Sequence, residues 1–263
     1  MEQQKFVRKN TVLFDAARRN EKKRSRRTAF YVFLFVAISL IFLTVCVIVF
    51  LNVKSINISG NEKYSDEEIS ALVPIAIGDN MFSFNSGKLE YEIAKALPYI
   101  GSVEIKRDLP NTIEVKITEE IPCFATEMAG DTYLISSNLK VLERLPDTSA
   151  ESTELTVLKL SNVRTCIVGE TIDFVNSRTS DAIVSLYKSC ESNYIQDKIV
   201  SIDVESRFDI YANYDNRFKV YFGDTENIDI KIRFLVAIID ELEPDATGVI
   251  NVSNPHEASV ALS

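Results

Sequence analysis

The segment Val103–Ile113 reads VEIKRDLPNTI and predicts a β-hairpin. Val103 and Ile105 alternate with charged residues, Leu109-Pro110-Asn111 supplies a turn, and the apolar alternation resumes over Ile113–Ile117. Because side chains of a strand point to opposite faces in turn, the apolar residues of both strands share one face. That apolar face must be shielded from water, so we expect further elements to pack against the hairpin.

Two short helices upstream are suited to cover that face. Ser65 and Glu68 match the S-x-x-E pattern of a capping box, which starts a helix. A second helix is expected to end at about Leu97, because Leu89, Ile93 and Leu97 recur every four residues. A strand over residues 53–58 precedes both helices. The predicted order is therefore β-α-α-β-β.

A long apolar segment, Ala29–Leu51, lies before these elements. It contains 23 residues without a charge. As a helix it would measure about 34 Å at about 1.5 Å per residue, and a hydrocarbon core is about 30 Å thick. A cleaved signal peptide and a buried soluble helix are the alternatives. The length of the run favours a transmembrane helix over residues 29–51.

The charge distribution predicts the orientation of that helix. Residues 1–28 contain ten basic and three acidic side chains, whereas the whole chain has a net charge of −9. The basic residues that we interpret as the topology signal are Lys22, Lys23, Arg24, Arg26 and Arg27. By the positive-inside rule, residues 1–28 form a cytoplasmic tail and residues 52–263 lie outside the cytoplasm. The acidic balance argues against a general nucleic-acid binder.

Residues 122–263 read as a second module made mostly of strands. Hairpin signals occur around Ser136-Ser137-Asn138 and Asn213–Arg217, and helices are expected over Asp181–Cys190 and Ile228–Leu242. Strands over Val249–Val252 and Ala258–Leu262 come last. We expect an α+β protein with one N-terminal transmembrane helix and a mainly antiparallel β domain with a few helices.

No residue pattern indicates a catalytic, metal or cofactor site. His256 is the one histidine, and Cys123, Cys166 and Cys190 lack the spacing of a metal site or a flanking nucleophile motif. Buried free thiols are the expectation, although a disulfide among the three stays open. A membrane-anchored hydrolase would need His256 and is the enzyme alternative. The sequence favours a non-enzymatic protein without cofactors.

Several stretches of residues 53–122 resemble motifs of POTRA domains. They are Asn61 to Ser65, Gly78–Phe82 (GDNMF), Leu97–Ile100 (LPYI), Val103–Ile113 and Glu119–Pro122 (EEIP). Together with a basic tail and one membrane span, they are similar to the FtsQ/DivIB family of bacterial cell-division proteins. The resemblance implies a POTRA domain over residues 52–121 and a β domain over residues 122–263 with a C-terminal edge strand.

The same resemblance implies a scaffold at the division septum in the cell membrane. Its expected partners are membrane division proteins of the FtsL type and the FtsB/DivIC type, with septal cell-wall synthesis proteins as further partners of the POTRA domain. The expected partner-binding residues lie near the C-terminus: Val249, Asn251, Ser253, Glu257, Ala258, Ser259, Val260, Ala261 and Leu262. The alternative is a membrane-anchored POTRA accessory that binds exported polypeptides.

Overall fold

A computed structural model describes residues 29–46 and 51–263. The helices are α1 Ala29–Cys46, α2 Asp66–Leu72, α3 Ser86–Ala96, α4 Arg178–Ser192 and α5 Ile228–Glu241. The strands are β1 Ser55–Ser59, β2 Ile100–Asp108, β3 Thr112–Glu119, β4 Pro122–Met128, β5 Asp131–Ser136, β6 Val141–Leu145, β7 Thr156–Leu160, β8 Val163–Thr165, β9 Asp173–Phe174, β10 Ile199–Ser206, β11 Asp209–Tyr214, β12 Phe218–Gly223, β13 Gly248–Asn254 and β14 Glu257–Leu262.

Helix α1 has the length and composition of a membrane-spanning helix. Its mean hydropathy is 2.6 over 18 residues, and none of it is buried. This agrees with the predicted membrane anchor. The basic residues Lys22–Arg27 and residues 47–50 of the predicted span lie outside the described residues. The predicted orientation therefore stays a prediction.

The chain divides into two compact units whose segments alternate along the sequence. The first unit contains the described part of Met1–Asn57 together with Ile75–Phe84 and Arg107–Ile113. The second unit contains Ile58–Pro74, Asn85–Lys106 and Glu114–Ser263. This division does not coincide with the expected domain boundary between residues 121 and 122, which stays a prediction.

Strands β1, β3 and β2 form a three-stranded sheet in that order. The apolar residues of the hairpin are buried on one face, as the alternation predicted; Ile113, Val115 and Ile117 are examples. The capping box at the start of α2 is present, because Ser65 Oγ accepts from the Glu68 amide at 3.2 Å and Glu68 Oε2 accepts from the Ser65 amide at 2.9 Å. The predicted order of β-α-α-β-β is therefore observed.

The second sheet has nine strands in the order β14-β13-β12-β11-β10-β7-β4-β5-β6. Five neighbouring pairs are antiparallel, which supports the predicted mainly antiparallel sheet. Three neighbouring pairs are parallel: β10 with β7, β4 with β7, and β12 with β13. Each parallel pair is joined through a longer connection, and α5 provides the one between β12 and β13.

Helices α4 and α5 contribute to the apolar core of this sheet. Ile183 and Leu186 of α4, with Ile232 and Leu235 of α5, are buried in one cluster with strand residues such as Val220 and Ile250. Helix α5 packs against β13, and α4 packs against α5. The expected helices over residues 181–190 and 228–242 are observed.

Some elements were not anticipated. The sequence analysis assigned no strand to β4, β8 or β9. In β4, Phe124, Ala125 and Thr126 are buried in succession, so the strand lacks the alternation that would reveal it. Strand β4 lies inside the nine-stranded sheet between β7 and β5.

Candidate partner-binding edge of the nine-stranded sheet

Strand β14 lies at one edge of the nine-stranded sheet. Within the described residues it pairs with β13 alone, in antiparallel register, with Val249 opposite Ala261 and Asn251 opposite Ser259. The turn that joins the two strands is fixed by the Asn254 side chain, whose Oδ1 accepts from the His256 amide at 3.0 Å. The predicted last strand is therefore an edge strand.

The register shows which backbone groups of β14 face outward. The Ser263 amide donates to the Thr247 carbonyl at 3.0 Å, just beyond the paired residues. In an antiparallel pair, successive residues alternate between bonding to the neighbour and pointing away from it. Ser259 and Ala261 therefore bond to β13, whereas Val260 and Leu262 direct their N–H and C=O groups away from the sheet.

The side chains of the outward-pointing residues are apolar and exposed. Val260 stands opposite the buried Ile250 and is 38% exposed, and Leu262 is 61% exposed. Ala258 is partly buried against the core, while Glu257, Ser259 and Ala261 are exposed. The edge therefore offers both unpaired backbone groups and apolar side chains.

Three of the predicted partner-binding residues lie in β13, the strand next to the edge strand β14. Val249 and Asn251 of β13 are flanked on one side by Lys219 and Tyr221 of β12, and on the other side by β14. Ser253 is also in β13, and its amide donates to Asn251 Oδ1 at 2.9 Å. With a strand on each side, β13 can offer a partner only its side chains.

Gly248 permits the close approach of β13 and β14. Its φ is +155°, and a Cβ built at this position would lie 2.1 Å from the Ala261 carbonyl oxygen. A side chain there would collide with the backbone of β14. The sequence analysis did not identify Gly248, because the constraint depends on a strand that pairs with it.

A buried lysine joins α5 to the end of β12. Lys231 is 1% exposed, and its Nζ donates to the Phe222 carbonyl at 3.1 Å, the Asp224 carbonyl at 2.9 Å and Asp224 Oδ1 at 2.7 Å. The hydrogen bond from Lys231 lowers the pKa of the Asp224 carboxyl below its usual range. These bonds fix the start of α5 to the end of β12. They therefore stabilise the connection between the parallel strands β12 and β13.

A shallow groove of about 690 Å³ lies beside the ends of β13 and β14. Its lining includes Lys159, Arg217 and Lys219 as well as Leu262. The Arg217 guanidinium donates to the carbonyls of Glu243 at 2.8 Å and Ala246 at 3.1 Å, which fixes the loop before β13. The sequence analysis missed Arg217 as well, since no local pattern marks a contact about 30 residues away.

The residues examined for reactivity do not form a site together. Burial raises the pKa of the Cys190 thiol to about 12 and that of the Cys166 thiol to about 11, so both are protonated at neutral pH. Cys123, Cys166 and Cys190 are all free thiols, and His256 is exposed in the β13–β14 turn. In the part of the chain that the structure describes, no group of three or more His, Cys, Asp or Glu side chains could hold a metal ion.

The outer edge of the smaller sheet is partly occupied. Strand β2 lies at that edge, and Glu90 of α3 accepts from the Ile105 amide at 2.7 Å. Glu104 and Lys106 form an exposed ion pair at 2.8 Å along the same strand. A charged edge with an occupied amide is less suited to pairing with another strand than β14 is.

Comparison with known proteins shows similarity to one group of cell division proteins. The family model "POTRA domain, FtsQ-type" matches residues 51–120. The cell division protein DivIB of Clostridium botulinum strain Hall is 27% identical over 235 residues, which cover 88% of this chain and 90% of DivIB. The chain is therefore similar to the FtsQ/DivIB proteins over most of its length. The predicted resemblance is thereby confirmed.

Other proteins similar to this chain are also named as cell division proteins. The cell division protein FtsQ of Corynebacterium glutamicum is 23% identical over 179 residues, covering 67% of this chain and 73% of that protein. A solved structure, the major extracytoplasmic domain of the trans isomer of DivIB from Geobacillus stearothermophilus, covers 48% of this chain and 99% of its own at 12% identity, with a TM-score of 0.27. That overlap is too low to support an argument about the fold. The similarity to these cell division proteins supports a role in cell division.

Proposed function

We propose that this chain is a member of the FtsQ/DivIB family and a non-enzymatic scaffold of the bacterial division machinery. It binds membrane division proteins of the FtsL type and the FtsB/DivIC type and couples them to septal peptidoglycan synthesis. Its site of action is the division septum in the cell membrane, with the N-terminus in the cytoplasm. The similarity to FtsQ/DivIB proteins and the apolar helix α1 support this proposal.

The observation that carries the proposal is the free edge of β14. Val260 and Leu262 direct backbone donors and acceptors away from the sheet, and both side chains are apolar and exposed. Unpaired backbone groups at a sheet edge pair with an extended segment of another chain, and the exposed side chains then add specificity. A partner strand would extend the nine-stranded sheet by one strand beyond β14.

Replacement of Val260 by proline tests this mode of binding. Proline removes the outward-pointing amide of residue 260 but no hydrogen bond to β13, because that bonding belongs to residues 259 and 261. We expect Val260→Pro to weaken capture of the FtsL-type and DivIC-type partners by the full-length chain in detergent. Binding titrations with purified partners measure the loss.

Two further variants control this experiment. Val260→Thr keeps the amide and the β-branched shape, so binding should persist. Val249→Thr changes an exposed side chain of β13 that offers no free backbone group, and it reports on side-chain contacts alone. If Val260→Pro binds as tightly as the unsubstituted chain, pairing at β14 is wrong and the contact lies elsewhere.

The accessory that binds exported polypeptides is the second candidate function. The groove beside β13 and β14, with its exposed Leu262 and three cationic side chains, is the feature that favours it. Selectivity separates the two functions. A scaffold retains its division partners in the presence of excess unfolded polypeptide, whereas a general accessory exchanges them.

A further inference from the structure

Three exposed apolar side chains lie on two loops of the first unit. Ile77, Phe82 and Leu109, which we call the apolar rim, are 75%, 54% and 59% exposed. Ile77 and Phe82 belong to the loop before α3, and Leu109 belongs to the turn between β2 and β3. Water-exposed side chains of this size in turn positions suggest a surface that is covered in the membrane-bound protein.

Hydrogen bonds join both loops to Leu51, the last residue of the apolar segment, and to the residues that directly follow it. The Met81 amide donates to the Leu51 carbonyl at 2.9 Å, and the Gly78 amide donates to the Val53 carbonyl at 2.8 Å. On the other loop, the Asn111 carbonyl accepts from the Lys54 amide at 2.8 Å. Residues 51–54 therefore hold the apolar rim close to the start of the described ectodomain.

The chain length limits how far this region can lie from the membrane. The predicted span extends to Leu51, and α1 is described as far as Cys46. The five residue-to-residue steps from Cys46 to Leu51 span at most about 18 Å, even when the chain is fully extended. A helix that begins at Ala29 needs about 20 residues to cross the hydrocarbon core, so the bilayer surface falls within a few residues of Leu51.

The Arg107 side chain fixes the geometry of the rim. Its Nε donates to the Met81 carbonyl at 2.7 Å and its Nη2 to the Phe84 carbonyl at 3.0 Å. The guanidinium also lies 5.4 Å from the centre of the Phe82 ring. Arg107 therefore ties the end of β2 to the loop that carries Phe82 and holds that ring in an exposed position.

We propose that the apolar rim inserts into the interfacial layer of the membrane, on the side of the bilayer that carries residues 51–263. The occupant of this surface is lipid at the level of the headgroups and the first acyl carbons. Charged groups in the same segments are mixed, with Lys54 and Arg107 offset by Asp79 and Asp108. Burial of apolar area, more than attraction to anionic lipid, provides the affinity.

The absence of tryptophan from the chain permits a direct test, because a single introduced indole reports its own surroundings. Phe82→Trp places this reporter in the rim. Phe208→Trp is the matched control, because Phe208 is also 54% exposed and also has an arginine over its ring, Arg207 at 3.9 Å. Phe35→Trp in α1 is the positive control for membrane insertion.

The full-length variants are reconstituted into phosphatidylcholine–phosphatidylglycerol liposomes with and without brominated acyl chains. We expect the emission of Phe82→Trp to shift to shorter wavelength and to lose intensity in brominated lipid, as Phe35→Trp does, while Phe208→Trp stays unshifted and unquenched. Urea unfolding midpoints equal to that of the unsubstituted chain confirm that the variants fold.

Each contrary result has a separate meaning. If Phe35→Trp is quenched and Phe82→Trp is not, the rim proposal is wrong and the membrane anchor stands. If none of the three is quenched, the anchor and the rim are both overturned. Equal quenching of Phe82→Trp and Phe208→Trp would overturn a contact confined to the rim. None of these outcomes depends on whether β14 binds a partner.

Discussion

Because Gly248 has no side chain, β14 can pair closely with β13 and form the candidate binding edge. A Cβ at this position would lie 2.1 Å from the Ala261 carbonyl oxygen and 3.0 Å from the Leu262 Cα. We expect Gly248→Ala to push β14 away from β13 and to weaken partner binding, while most of the nine-stranded sheet remains folded. Hydrogen exchange of the Val249 and Ala261 amides measures the loosening.

Gly87→Ala is the matched control for this prediction. Gly87 lies in α3, and the nearest atom to a built Cβ is 3.8 Å away. The substitution should be neutral or should stabilise the chain by up to about 1 kcal/mol, because alanine is a better helix former than glycine. Unchanged exchange at Val249 in Gly248→Ala would contradict the steric argument.

At the scale of secondary-structure elements, Lys140 joins the end of α3 to the start of β2. Its Nζ donates to the Ile100 carbonyl at 2.7 Å and to the Ala94 carbonyl at 3.3 Å. The ammonium group thereby satisfies a carbonyl in the last turn of a helix, where positive charge is favoured. Burial lowers the pKa of Lys140, yet these acceptors keep it in place.

Lys140→Met should therefore destabilise the chain by about 1–3 kcal/mol, because it leaves these carbonyls without their donor. Urea unfolding of the full-length protein in detergent measures this loss. Lys188→Met changes an exposed lysine of α4 and should alter the free energy of unfolding by less than about 0.5 kcal/mol. Equal effects of the two substitutions would show that the Lys140 bonds add no stability.

Local patterns predicted those elements whose signals are local. The capping box at Ser65 and Glu68, the alternation in β2 and β3, and the apolar face of α5 all correspond to observed elements. Strand β4 escaped prediction because three successive residues are buried in the interior of the sheet. The parallel neighbours β7 and β10 are joined by no short turn, so no local pattern marks their pairing.

The same limit applies to the candidate site. The sequence indicated a last strand over Ala258–Leu262, and the observed strand is Glu257–Leu262. Its position at the sheet edge, and the outward direction of the Val260 and Leu262 backbone groups, follow from pairing with β13. Gly248 and Arg217 were missed for the same reason, since their roles depend on residues distant in sequence.

At the scale of the whole molecule, residues 53–120 separate the membrane anchor from the nine-stranded sheet along the chain. Under the proposed function, the POTRA segment contacts division proteins near the membrane, so we expect a chain that lacks residues 53–120 but keeps α1 to lose its placement at the division septum. Fluorescence microscopy of tagged chains in dividing cells measures the placement. Membrane fractionation confirms that the shortened chain is made and anchored.

Normal septal placement of the shortened chain would mean that residues 53–120 serve as a spacer. The anchor and the family were both apparent from the sequence, because an uncharged run of 23 residues and several POTRA motifs are continuous in the chain. The division into compact units was not apparent, because the first unit gathers three separate segments.

The position of β14 in the sequence also determines when it can join the sheet during synthesis. It follows every other described strand in the sequence, so the ribosome releases it after β13, its one neighbour among the described strands, and after the strands at the centre of the sheet. A nascent chain that stops before Asn254 already contains eight of the nine strands but lacks the outward-facing amides of residues 260 and 262. Under the proposed pairing, partner capture therefore selects chains that already contain β14 over nascent chains that lack it.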